Sequence, residues 1–95
     1  MLLKNKNAVI YGAGGYVGQA VAKAFASEGA NVFLTGRTTD KLKPAVEEII
    51  LRGGFAEFSK VDALNLEEVD QHLTKIIAAH QHIDISFNLI GIDDV

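Results

Sequence analysis

Four short apolar runs alternate with three stretches of helical period along these 95 residues, and that alternation leaves few folds open. Ala8-Val9-Ile10-Tyr11 is the first run. From about residue 15 to 28, Val17, Val21, Ala24 and Phe25 recur at helical spacing, and Gly29 supplies a stop signal. Residues 31 to 35 (NVFLT) are apolar without interruption, as expected of a strand covered on both faces, and Gly36 breaks them. Leu42, Val46, Ile49 and Ile50 mark a second amphipathic helix that ends at Gly53-Gly54, with Pro44 in or just before its first regular turn. Residues 55 to 61 (FAEFSKV) form a weaker third strand. Asn65 and Glu68 make a capping box for a third helix striped by Leu66, Val69, Leu73, Ile76 and Ile77. Residues 83 to 89 (IDISFNL) read as a fourth strand with polar Asp84, Ser86 and Asn88 interleaved. The order β-α-β-α-β-α-β predicts an α/β fold: a parallel sheet with right-handed crossovers and helices on its faces.

Composition narrows the chemistry. A hydrophobic fraction of 48% supports one compact domain, or part of one, over residues 1–95. A formal charge of -3 without a basic block argues against nucleic acid as a partner. With no cysteine, the chain has no disulfide, thiol nucleophile or thiolate metal site, and it fits a reducing compartment. No apolar run approaches membrane-spanning length, so neither a membrane partner nor a span is expected, and a cytoplasmic location is the default expectation. His72, His80 and His82 lack the partners and common direction that a metal site requires, and no metal is expected.

The chemistry-bearing feature is YGAGGYVG, residues 11–18, between the first strand and the first helix. Glycines there let the backbone turn sharply and approach a ligand closely, while the helix N-terminus points at a bound anion. Phosphate is the anion that suits such a turn. Gly12, Gly15 and Gly18 carry the spacing, with Gly14 as an extra, whereas Val17 stands where Gly-x-Gly-x-x-Gly would place its last glycine. The competing reading is a flexible turn with no ligand.

Two further strand ends bear on the ligand. Dinucleotide sites that use NAD place an acidic side chain roughly 20 residues past the glycines, to accept hydrogen bonds from the adenosine ribose. Here the second strand ends in Thr35-Gly36-Arg37. A guanidinium can pair with a 2′-phosphate, which favours NADP over NAD, and Thr38, Thr39 and Lys41 could assist. Alternatively Arg37 is an ordinary solvated loop charge. At the end of the third strand, Asp62 could accept a hydrogen bond from an adenine amino group while Ala63 supplies an apolar wall; the alternative is local turn chemistry before the third helix.

Taken together, GAGGYVG, TGR, VDAL and NLIG, one after each strand, resemble the short-chain dehydrogenase/reductase family over the whole visible chain. The resemblance implies a Rossmann-type sheet, here truncated after its fourth strand, that binds NAD(P)(H) and interconverts alcohols and carbonyls by hydride transfer. It assigns cofactor contacts to Gly12, Gly14, Gly15, Tyr16, Val17, Gly18, Arg37, Thr38, Asp62 and Ala63, and adds Asn88 and Gly91. Those last two match the outer positions of the family's Asn-Asn-Ala-Gly, while Leu89 and Ile90 depart from it. The Gly-x-x-Gly-x-x-Gly form is typical of the family's extended branch of epimerases and dehydratases, whereas TGRTTDKL and VDAL look like the dehydrogenase branch with Thr-Gly-x-x-x-Gly-x-Gly.

The family's proton donor is the tyrosine of Tyr-x-x-x-Lys. Four residues after Tyr11 stands Gly15, and four after Tyr16 stands Ala20, so neither begins that motif and no catalytic residue is assigned. Family members are also well over twice this long. The chain is thus expected to be the cofactor-binding half of an oxidoreductase, inactive alone. A non-catalytic NADP-binding sensor and a fragment of an extended-branch enzyme are the alternatives. Where further strands are missing beyond the fourth, self-association is expected through the unpaired edge of that strand, residues 83 to 89, or through the apolar surface beside it.

Overall fold

The computed structural model describes residues 1–88, so Gly91 and the end of NLIG lie outside the described residues. The seven elements are β1 (Asn7–Tyr11), α1 (Tyr16–Ser27), β2 (Asn31–Gly36), α2 (Leu42–Leu51), β3 (Phe55–Lys60), α3 (Leu66–His80) and β4 (Ile85–Asn88). All strand pairs are parallel, in the order β3-β2-β1-β4. The chain therefore steps outward from β1 through β2 to β3, then returns to the other side of β1. That reversal creates a crevice at the carboxyl ends of β1 and β4, where ligands of such sheets bind.

Strand composition follows strand position. Every residue of β1 is buried, as are the four central residues of β2, because each lies between two strands and two helical layers. β3 and β4 flank them and are largely exposed, which accounts for the polar residues in FAEFSK and ISFN. α1 and α2 cover one face, closing a core of Ala8, Ile10, Val32, Leu34, Leu42, Val46 and Ile49. α3 covers the other over Val9, Tyr11, Phe33, Val61 and Ile76.

Two helices differ in detail from the sequence reading. On α1 the buried positions are Gly18 and Ala22, while Val17 and Ala24 face outward. The cause is steric: a Cβ at Gly18 would lie 2.5 Å from the Ala13 Cα, so the smallest side chain is required where the helix crosses the β1 turn. On α3, Leu66 is 82% exposed, and the inward stripe is Val69, Leu73 and Ile76. The cap also differs. Asn65 Oδ1 accepts the Glu67 and Glu68 amides at 3.1 and 3.2 Å, as a cap should, but Glu68 Oε1 accepts the Asp62 N–H at 3.3 Å, because the Asn65 N–H donates to the Asp62 carbonyl. Pro44 sits in the first turn of α2, where it removes no helical hydrogen bond.

At the amino end of the sheet a polar clip joins three strands. Asn7 Nδ2 donates to the His82 carbonyl at 2.9 Å, Asn31 Nδ2 donates to Asn7 Oδ1 at 2.9 Å, and Asp84 Oδ2 accepts the Asn7 N–H at 2.8 Å. His82 Nδ1 adds a 2.8 Å contact to the same Asp84 oxygen. The Asn7 N–H is the main reason the Asp84 carboxyl is held below its ordinary value, with His82 assisting. Asp84 is committed to this clip, and β4 begins after it, at Ile85.

Under α3, burial isolates two polar atoms. Tyr11 Oη and His72 Nδ1 have no hydrogen-bond partner among the described residues, and their rings meet edge to face at 6.4 Å. Burial pushes the Tyr11 hydroxyl pKa up and, with Lys75 adding repulsion, the His72 pKa down.

Two predictions follow from packing and titration. Gly18→Ala should destabilise the fold by at least about 2 kcal/mol in chemical denaturation, since the clash is with backbone, and an unchanged midpoint would contradict this packing. Acid should weaken the fold in two stages. His72 is harder to protonate folded than unfolded, so stability falls as pH drops below the ordinary histidine value of 6.5; Asp84 adds stability above the ordinary 3.8 that is lost through its lower folded value. His72→Leu should flatten the first stage in urea midpoints measured against pH, and Asp84→Asn the second.

Candidate cofactor site

The site is built from strand ends brought level by register. Tyr11 pairs with Thr35 and Asn88, and Thr35 pairs with Ser59, so the segments that leave β1, β2 and β3 emerge along one edge. Gly12 begins the first of these at φ +75°, a left-handed conformation that favours glycine. The Ala13 N–H then donates to the Thr35 carbonyl at 2.9 Å, and the buried Thr35 hydroxyl donates to the Ile10 carbonyl at 3.0 Å. The turn is thereby fastened to the sheet from two sides.

α1 starts directly from this turn. Gly15 is its N-cap in an extended conformation, with no side-chain cap, and its first turn holds no acidic residue. No carboxylate of its own first turn therefore neutralises the positive end of the helix. Gln19 Nε2 donates to the Gly14 carbonyl at 3.1 Å and fixes the outer side of the loop. A cavity of about 390 Å³ opens beside it, lined by Gly14, Gly15, Tyr16, Gln19 and Lys41. Tyr16 is 93% exposed and forms part of its rim, and Val17 is also exposed at the helix start. Gly18 is buried and acts by letting helix and turn approach closely.

Arg37 leaves the end of β2 exposed to solvent, with Thr38 exposed beside it. Its Nε lies 3.8 Å from Asp62 Oδ1 across the gap to the β3 end, with the side chains 66% and 42% exposed. The same Asp62 oxygen accepts the Leu64 N–H at 3.0 Å, so turn chemistry occupies this carboxylate together with Arg37. The Val61 N–H donates to the Gly36 carbonyl at 3.0 Å and holds the β2 and β3 exits level. Ala63 is half-buried against the α3 layer, and Asn88 is exposed beside Tyr11 in register. The candidate residues within the described region thus gather at one edge, at two centres: the glycine cavity and the Arg37–Asp62 gap.

Sequence reading overlooked Gln19, a polar residue one turn into its helix that braces the glycine loop, and gave Glu68 a capping partner, the Asn65 N–H, in place of the Asp62 N–H that it braces. The histidines go to three separate neighbourhoods: His72 to Tyr11, His80 to Phe33 and Phe55, and His82 to Asp84. Among the described residues, no helix is long and apolar enough to cross a membrane.

Comparison with known proteins agrees with this arrangement. The short chain dehydrogenase family model matches residues 6–95. An oxidoreductase of Bacillus subtilis, YxbG, described as uncharacterized, is 40% identical over 91 residues, covering 96% of this chain and 33% of the relative. The fatty acyl-CoA reductase of Acinetobacter baylyi is 34% identical over 89 residues, covering 94% and 30%. Among solved structures, a metagenomic short-chain oxidoreductase in complex with NADP superposes with a TM-score of 0.87 at 34% identity, over 90% of this chain and 39% of that one. Hydroxysteroid dehydrogenase from Escherichia coli gives 0.85 at 31% identity, over 90% and 37%. The chain spans about a third of the length of the curated relatives it matches. With a Rossmann-like parallel sheet, a glycine turn at its carboxyl edge and a family match from residue 6 onward, this chain belongs to the short-chain dehydrogenase family.

Proposed function

We propose that this chain is the NADP(H)-binding portion of a short-chain oxidoreductase that interconverts alcohol and carbonyl groups in its complete form. The observation that carries the reading is the charge at the end of β2: Arg37 stands there, where an NAD site would present an acceptor for the ribose hydroxyls. The solved relative that holds NADP supports it.

The residues fit such a cofactor. The glycine turn offers backbone close enough for a pyrophosphate, and the uncapped start of α1 favours negative charge there. Arg37 is exposed and free to form paired hydrogen bonds to a phosphate monoester. Its contact with Asp62 does not prevent this, since an exposed ion pair contributes at most about 1 kcal/mol. Asp62 and Ala63 border the place an adenine would take. The bound nicotinamide would supply hydride chemistry; the described residues supply binding and orientation. Neither tyrosine precedes a lysine by four residues, so no residue of this chain is assigned to proton transfer.

Calorimetric titration with NADP⁺ and NAD⁺ tests the assignment. Tighter binding of NADP⁺ is expected, and Arg37→Asp should weaken it about 10- to 100-fold, the scale of losing a charged hydrogen bond, while leaving NAD⁺ nearly unaffected. An NADP⁺ affinity indifferent to this substitution would sink the assignment.

A further inference from the structure

We infer that the cavity between the carboxyl ends of α1 and α2, at the edge of the sheet opposite the glycine turn, is a second binding site, and that it takes a small organic anion: a carboxylate carried on an apolar body. The inference stands apart from the cofactor reading. The cavity measures about 500 Å³, within the range of small-molecule sites and larger than the one at the glycine turn. Its walls include Lys4 of the amino-terminal segment, Lys23 of α1, Asn31 at the start of β2, Arg52 after α2 and Phe55 at the start of β3. Both strands begin here and end at the cofactor edge, so the two cavities share no residue.

The electrostatics of this cavity ask for an anion. Lys4, Lys23 and Arg52 line it against a single carboxylate, Glu48, in a chain whose formal charge is -3. Glu48 is engaged through both oxygens: Lys23 Nζ lies 2.7 Å from Oε2, and Arg52 Nη2 donates to Oε1 at 2.9 Å. Lys23 holds that carboxyl below its ordinary value, with Arg52 assisting, so it stays charged and taken. Lys23 and Arg52 keep donors that Glu48 does not use, and Lys4 makes no ion pair among the described residues. Helix-end carbonyls do not absorb these donors. The Ala26 and Phe25 carbonyls accept the Gly29 and Ala30 N–H groups at 3.0 and 3.1 Å, and the Ile49 and Ile50 carbonyls accept those of Gly54 and Gly53, both at 3.0 Å.

The remaining surface selects the body of the ligand. Ala26, Ile49 and Phe55 line the cavity beside the cations. Phe55 is 38% exposed, and edge contacts to Phe33 and His80, each at 5.8 Å, hold its ring in place. A Cβ at Gly53 would meet nothing within 4 Å, so no side chain crowds that part of the α2–β3 turn. A bare inorganic anion would leave the apolar surface wet, whereas an anion with an apolar body covers it while pairing its charge.

The test is amide NMR titration of the full chain with phenylacetate and with phenylacetamide, its neutral counterpart of the same shape. Phenylacetate is expected to give saturable shifts at Gly29, Gly53 and Gly54, and phenylacetamide to bind at least about tenfold more weakly. Lys4→Met with Arg52→Met should lower the phenylacetate affinity about tenfold or more, whereas Lys4→Arg with Arg52→Lys, which keeps both charges, should retain most of it. Both positions are exposed and outside the hydrophobic core, so either pair of changes leaves the fold in place. No saturable shift at the three glycines, or shifts confined to Gly14 and Gly15, overturns the inference. So does equal binding of the amide, a methionine variant that binds as the parent does, or a charge-keeping variant that loses affinity as the methionine one does.

Discussion

The complete burial of β1 is the constraint from which the rest of the molecule follows. A central parallel strand has its amides and carbonyls taken by two neighbours and its side chains taken by two helical layers. β2 and β4 supply the first, and the α1–α2 and α3 layers the second. Position is then fixed at both ends. At the amino end Asn7 gathers β2 and the approach to β4 through its amide and backbone, so a buried polar side chain is satisfied while it sets register. At the carboxyl end the chain must leave the sheet at once, and Gly12 in its left-handed conformation makes that exit possible. Gly18 lets α1 return against the same turn. The start of α1 is thus held by the most completely buried strand among the described residues.

Around that fixed turn, electrostatics are arranged in layers of differing commitment. Glu68 and Gln19 are committed to bracing backbone, and Asp62 divides itself between a turn amide and Arg37. Arg37 is loosely held and Lys41 is unpaired among the described residues. Groups that define shape are therefore satisfied internally, whereas the cations suited to a phosphate remain exposed. A binding edge benefits from this division because exposed cations are cheap to redirect, while displaced backbone braces would change the geometry that presents them.

The element order was legible because strands and helices differ in period, and buried parallel strands such as AVIY and VFLT leave little ambiguity. The glycine turn, Arg37 and Asp62 were legible because each closes a strand, and strand ends in this topology share one edge. The inward face of α1 was not. Hydrophobicity points to Val17, but contact geometry selects Gly18 and Ala22, whose smallness is invisible to a scale that rewards apolar bulk. The clip at Asn7 was also hidden, since its hydrogen bond to Asp84 joins residues 77 apart and depends on β4 returning beside β1. The position of Lys41 over Gly14 likewise belongs to the packed fold, because nothing local fixes how the β2–α2 loop leans.

Tyr11 shows how the same burial limits chemistry. It is the last residue of β1 and adjoins the glycine turn, so its place in the chain suggests reactivity. Its hydroxyl is nevertheless enclosed under α3 without a hydrogen-bond partner among the described residues, and burial raises its pKa. A tyrosine that donates protons in this family depends on a nearby lysine that lowers its pKa, the opposite shift. The adjoining His72 cannot reverse this, because burial also favours its neutral form and thus withholds the positive charge that would stabilise a phenolate. The orphaned pair is better understood as a cost of filling the space between β1 and α3 with large rings, a cost that falls on stability and on its acid dependence. The carboxyl edge that β1 presents therefore exposes backbone and the side chains of Tyr16, Arg37 and Lys41, while the tyrosine nearest the turn is withdrawn into the core.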